Sequence, residues 1–285
     1  MKIGIGLPNQ VRNVRPAVIP EWARRSEAAG FSTLGTLGRT AYPGVMDTVA
    51  LAAAAGATST IGLISTVLLA PVWPGVLLAK EAAGIDAVSG GRLTLGIGLG
   101  GRPDDFVVDG FGPRGTGKRL DADIETYKSI WRGENVPGSD NPAVPNGSRE
   151  VPLLFGGLVQ ASYDRVARCG EGYIGATMPP TMVGPVFENV RAAWSKAGRE
   201  GSPRLVAIAY YVFGDIEAGR ADVYDYYSAG GDEVAKFVAS EVSGGADAVK
   251  ATVRAFANIG ADELILYPAT DHVDEVARLA DTVLC

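Results

Sequence analysis

Glycine at the ends of short apolar runs is the feature of this 285-residue chain that most invites a chemical reading. In Leu93-Thr94-Leu95-Gly96-Ile97-Gly98-Leu99-Gly100-Gly101-Arg102, glycine recurs at alternate positions just as an apolar run ends. Glycine there removes side chains where a flat ring could lie against the main chain, and it equally suits a crowded interior with no room for a side chain. A dinucleotide fingerprint would need a helix at once, whereas the next helical stretch begins only near Gly117. In Leu153-Leu154-Phe155-Gly156-Gly157-Leu158-Val159-Gln160, two glycines join an apolar run to a helix start. Main-chain N–H groups and a helix N-terminus left free in this way suit a phosphate, although a plain turn with glycine at positive φ accounts for the same residues.

Acid, base and metal chemistry has few candidates. The lone histidine, His272, rules out any mechanism needing two imidazoles, and the two cysteines, Cys169 and Cys285, form no disulfide framework or metal cluster. A reducing cytoplasm is expected. Arg39, Arg102, Asp104 and Asp105 are the charged groups nearest the glycine-rich run. Arg102 could anchor an anionic cofactor or substrate group, while the two aspartates read as surface charge. No residue stands out as a catalytic acid or base, which leaves the chemistry to a bound cofactor. A net charge of −6 without a basic run argues against nucleic acid, and no run of about 18 apolar residues predicts a membrane span.

These residues need elements to position them, and the chain alternates short apolar runs with longer Ala-rich amphipathic stretches, the pattern of repeated βα units. Strands are predicted near 2–7, 33–37, 61–69, 93–99, 152–155, 172–175, 204–213 and 262–267. Helical stretches follow near 16–29, 46–58, 74–88, 117–132, 160–169, 181–198, 217–258 (broken) and 272–283. Gly30 and Gly198 read as helix stops. Eight units without a composition break predict one α/β domain over residues 1–285, a closed (β/α)8, or TIM, barrel, a fold that typically needs about 250 residues. Residues 133–151 read as an extended loop after helix four, and 217–258 as extra helices in the seventh unit. In such a barrel the residues just past each strand form the active face. These are Asn9 after strand one and Gly38 and Arg39 after strand two. Ser65 and Thr66 belong to strand three; Gly98, Gly100 and Gly101 end strand four; Gly156, Gly157 and Leu158 follow strand five; Gly175 and Ala176 follow strand six. Leu7, Leu37, Trp73 and Met178 would line a mostly apolar substrate pocket, with Arg102 at its charged edge.

The run Pro74-Gly75-Val76-Leu77-Leu78-Ala79-Lys80-Glu81-Ala82-Ala83-Gly84-Ile85-Asp86-Ala87-Val88-Ser89-Gly90-Gly91-Arg92-Leu93-Thr94-Leu95-Gly96-Ile97-Gly98 closely resembles the central signature of the bacterial luciferase-like family. Gly101-Arg102-Pro103-Asp104-Asp105-Phe106, Arg119-Leu120-Asp121, Ile130-Trp131-Arg132-Gly133, Phe155-Gly156-Gly157, Ala197-Gly198-Arg199 and Gly260-Ala261-Asp262-Glu263-Leu264 are similar to its later segments, in order. The resemblance covers nearly the whole chain. It implies a TIM barrel holding FMN or the deazaflavin coenzyme F420, in enzymes that insert oxygen or transfer hydride. It also implies a non-proline cis peptide at Ser65-Thr66, a phosphate held at Gly156 and Gly157 with Gly175-Ala176 beside it, and a homodimer as an allowed assembly. The family's deazaflavin-dependent sugar-phosphate dehydrogenases carry a histidine and a glutamate where this chain has Arg39 and Gly101, which sets that activity aside. The short chain and the Leu7-Pro8-Asn9 opening favour coenzyme F420 and hydride transfer to or from an organic substrate. FMN-dependent oxygen insertion and a catalytically silent flavin-binding barrel are the alternatives.

Overall fold

Parallel strands rich in Leu, Ile and Val need cover on both faces, and this chain supplies it by closing the strands on themselves and ringing them with helices. The computed structural model describes residues 1–284; Cys285 lies outside the described residues. The strands are β1 (Lys2–Gly6), β2 (Thr33–Thr36), β3 (Gly62–Ser65), β4 (Leu68–Leu69), β5 (Leu93–Gly98), β6 (Leu153–Gly156), β7 (Gly172–Ile174), β8 (Arg204–Val212), β9 (Ser243–Gly244) and β10 (Glu263–Pro268). Eight of them form the barrel in the order β10-β1-β2-β3-β5-β6-β7-β8, and β8 pairs back onto β10. Every pairing is parallel; Lys2 lies opposite Glu263, and Glu263 opposite Val206, where the ring closes.

The helices are α1 (Val18–Ala29), α2 (Asp47–Ala57), α3 (Gly75–Ser89), α4 (Thr116–Trp131), α5 (Gln160–Cys169), α6 (Pro180–Lys196), α7 (Ile216–Tyr227), α8 (Asp232–Ser240), α9 (Gly245–Asn258) and α10 (Glu275–Val283). Gly30 ends α1 in the left-handed region, and Gly198 at φ 69° follows the end of α6, as expected of helix stops. None of the helices among the described residues is long and apolar enough to cross a membrane.

Strand alternation sorts the core into two layers. Ile64, Leu154, Ile174, Val206, Ile208 and Ile265 point into the barrel, while their neighbours Leu63, Leu153, Tyr173, Leu205 and Leu264 pack against helices. Tyr267 fills much of the interior beside β1 and β2; a Cβ on Gly6 would meet its ring at 2.2 Å and one on Gly35 its hydroxyl at 2.4 Å. At the amino ends of the strands, the buried Glu263 carboxylate accepts from Ser32 at 2.6 Å and from Arg204 at 2.6 Å.

Two expectations are corrected here. The third strand is not continuous over 61–69: it breaks into β3 and β4, and β4 pairs only with β5. The cis peptide lies at Thr66-Val67, one residue beyond Ser65-Thr66, inside that break. The long loop after α4 is present at 132–152 and lies on the face opposite the strand carboxyl ends, because Arg149 binds Asp86 at 2.7 Å and the carbonyls of Gly91 and Leu93. The seventh unit carries three helices, α7, α8 and α9, between β8 and β10.

Candidate functional site

At the carboxyl ends of the strands the chain leaves a cavity of about 210 Å³. Leu37, Gly38, Thr66, Val67 and Leu69 form one wall, from the ends of β2 to β4. Gly156, Gly157 and Leu158 after β6, and Ile174 to Thr177 at the end of β7, form the opposite one, with Ile208 of β8 at the floor. Arg102, Tyr226 and Tyr227 close the third side. Of the positions singled out from sequence, Leu37, Gly38, Thr66, Arg102, Gly156, Gly157, Leu158, Gly175 and Ala176 therefore meet here.

The glycines act by what they leave out. Gly157 sits at φ +124°, which L side chains rarely adopt, and a Cβ on it would come within 2.4 Å of Ser162 Oγ. Directly behind it begins α5, whose N-cap, Val159, offers no side-chain cap. The first-turn amides of α5 thus lie beside a stretch of bare main chain at the mouth, an arrangement suited to an anion.

The remaining sequence candidates take supporting positions. Asn9 is buried and donates to the carbonyls of Leu37 at 2.6 Å and Val45 at 3.0 Å, fixing the chain after β2. Ser65 donates to Gly96 O at 2.7 Å, and Gly98 packs against Val67. Gly100 is in the left-handed region, and the Gly101 and Arg102 amides donate to Asp105 Oδ2. Arg39 is buried; it donates to Tyr226 O at 2.6 Å and pairs with Asp104. Leu7 lies wholly in the core, and Trp73 and Met178 each line a separate, smaller cavity. The reading of Asp105 as surface charge is corrected: it is 1% exposed because it organises the loop that carries Arg102.

Sequence reasoning missed Tyr226, Tyr227, Ile208 and Asp47. Ile208 was open to discovery through period-two alternation along β8, whereas the tyrosines reach the mouth only because α7 folds back over it. Arg102 stacks on both tyrosine rings, at 5.2 and 4.9 Å from their centroids, and Arg39 lies 5.5 Å from that of Tyr226. Burial alone would weaken the Arg102 cation, but the Tyr226 and Tyr227 phenols and Asp105 hold it above its ordinary pKa. Burial pushes the phenols of Tyr210, Tyr226 and Tyr267 well up, so they are neutral at neutral pH. Tyr267 and Thr66 share a hydroxyl contact of 2.5 Å under the cavity, and Thr177 donates to the Tyr227 hydroxyl at 2.9 Å. Burial also raises the Asp47 carboxyl to about 7.

A family model described as luciferase-like monooxygenase matches residues 1–268. The uncharacterised Mycobacterium tuberculosis (strain H37Rv) protein Rv0953c is 28% identical over 239 residues, 73% of this chain and 83% of the relative. Among solved structures, an F420-dependent secondary alcohol dehydrogenase in complex with an F420-acetone adduct aligns with a TM-score of 0.81 at 16% identity, covering 99% of this chain and 98% of that one. Monooxygenase RslO1 from Streptomyces bottropensis aligns with a TM-score of 0.79 at 22% identity, covering 100% and 99%.

Proposed function

The chain belongs to the luciferase-like monooxygenase family, and on that premise we propose that it is an oxidoreductase that binds a deazaflavin of the coenzyme F420 type at the barrel mouth and exchanges hydride with a small organic substrate. The observation that carries this reading is glycine main chain at Gly156, Gly157 and Gly175 lining one cavity, with the uncapped N-terminus of α5 starting two residues after Leu158 at its edge. A planar ring with a phosphate tail fits that combination. The Gly157 main chain and the first turn of α5 would hold the phosphate. Thr66, Val67, Gly38 and Ala176 would border the ring, and Arg102 would face an anionic group of cofactor or substrate.

The cofactor, when bound, supplies the redox step. The chain's own residues bind, orient and exclude water: Leu37, Leu69, Ile174 and Ile208 make most of the cavity apolar, which suits a small hydrophobic substrate. The fold match to the F420-dependent alcohol dehydrogenase supports hydride transfer. A second reading is FMN-dependent oxygen insertion; the likeness to the monooxygenase RslO1, at 22% the more identical of the two structures, favours the oxygen insertion. A silent flavin-binding barrel is the third. We place the protein in a reducing cytoplasm, in keeping with the free Cys169 thiol, and as a homodimer by analogy with the family.

Fluorescence titration of the purified protein with oxidised and reduced coenzyme F420 and FMN tests the cofactor. Saturable binding of the deazaflavin is expected, with Gly157 substitutions weakening it. Preferential FMN binding with oxygen uptake would move the assignment to the second reading. Binding without turnover on a broad panel of acceptors would move it to the third, and no binding of either up to about 1 mM, the weak end of specific affinity, would end it.

A further inference from the structure

We propose that Asp47 is the proton store of the barrel mouth: a buried carboxyl behind Gly38 that gives its proton to the oxygen of a carbonyl substrate being reduced in the cavity, and regains one from solvent. This rests on the hydride-transfer reading above and names its missing acid and its substrate class.

Asp47 opens α2, a position where an aspartate ordinarily caps the helix or faces water. It does neither. The N-cap is Met46, and Asp47 itself is 4% exposed. Among the described residues it has no ion-pair partner, and its Oδ1 has no hydrogen-bond partner. Arg39, which lines the same small void, is spent on Asp104 and the Tyr226 carbonyl. A buried carboxylate without a cation is costly, so the neutral acid is the form this pocket favours, and burial raises its pKa to about 7.

Its placement gives that proton somewhere to go. A Cβ on Gly38 would fall 1.5 Å from Asp47 Oδ1, so the carboxyl oxygen occupies the space that any side chain at position 38 would need. Asp47, Gly38, Arg39 and Trp73 line a void of about 10 Å³, room for about one water. Gly38 and Leu69 line both the void and the mouth cavity, so a water held in the void would lie one residue behind the cavity wall.

The groups around Asp47 do not compete for the role. The Tyr226 and Tyr267 phenols interact electrostatically with it, but both are neutral at neutral pH. At the far end of α2, Glu27 of α1 accepts from the Ser59, Thr60 and Ile61 amides, and Arg92 is bound to the Ala55 and Thr58 carbonyls. His272 lines a different cavity, against α10.

The step balances with the reduced cofactor as hydride donor. Hydride brings two electrons and forms the C–H bond as the carbonyl π bond breaks. The Asp47 O–H bond breaks, the proton forms the alcohol O–H through the intervening water, and the carboxylate keeps the electron pair until solvent reprotonates it.

The test is carboxyl-carbon NMR of aspartate-labelled protein titrated from pH 4 to 9, with and without saturating reduced F420, on wild type and Asp47→Asn. One resonance titrating near neutrality, absent from Asp47→Asn and shifted in midpoint when cofactor fills the mouth, is expected. Asp222, also raised by burial, to about 6, is assigned by Asp222→Asn. Carbonyl reduction at saturating substrate should fall as pH rises through the same midpoint in wild type. In Asp47→Asn it should be pH-independent and about 100-fold slower, the usual worth of a general acid, with KM little changed. A resonance titrating in the ordinary aspartate range overturns the inference. So does a midpoint indifferent to bound cofactor, or an Asp47→Asn variant with the wild-type pH profile. Failure of F420 to bind at all sinks the cofactor reading first, and the two failures are told apart by the fluorescence titration.

Discussion

Arg102 and Asp47 show how differently two charged side chains can be treated within one mouth. Arg102 keeps its charge because two tyrosine faces and Asp105 surround it, while its guanidinium still borders the cavity. Replacing it with Ala should weaken binding of an anionic cofactor or substrate by about tenfold or more, the usual worth of a charged hydrogen bond, measured as Kd by fluorescence titration. Asp47 gives a pH signature in stability as well as in rate. Its folded-state pKa is raised to about 7, so its stabilising contribution is complete below the unfolded-state value near 4 and is lost as pH rises through about 7. Thermal unfolding of wild type should therefore fall in Tm across that window by several degrees more than Asp47→Asn does. Equal slopes would show that the carboxyl titrates normally. Neither property could be read from the residues alone: an aspartate that opens a helix looks like a solvated charge, and Asp105 was misread in the same way, because burial is decided by segments distant in the chain.

At the scale of the element, the join between β6 and α5 concentrates the anion-binding capacity, and both its glycines and its strand-to-helix order were legible in the sequence. Gly157→Asp is expected to weaken cofactor affinity by about tenfold, since it adds a negative charge at the positive end of α5 and a side chain at φ +124°. Unchanged affinity in a folded variant would place the phosphate elsewhere. The strands and helices were legible to within a few residues because alternation and amphipathic period persist along each of them. The exceptions have local causes. The third strand reads as one apolar run, yet it breaks between Ser65 and Leu68, and no propensity signals such a break. The tyrosine pair at the end of α7 was hidden because helix periodicity says nothing about which loop the helix folds over.

For the molecule as a whole, closure depends on β1 and β2 being nearly bare where Tyr267 lies. Gly35→Val should cost about 1–3 kcal/mol by overpacking, seen as a lowered Tm, and Tyr267→Phe in the same chain should restore part of it by removing the hydroxyl that the new side chain meets. A Gly35→Val protein as stable as wild type would mean that the interior is looser than its geometry indicates. That same ring has a consequence for traffic. With Tyr267, Ile265, Ile64 and Leu154 filling the barrel interior below Ile208, the cavity opens toward the carboxyl ends of the strands rather than through the axis. Two molecules that share such a dead-end room must queue. The one seated deeper is trapped until its neighbour departs, so a crowd of the second arrival should stall exchange of the first, and steady-state rates should pass through a maximum as that second molecule becomes abundant.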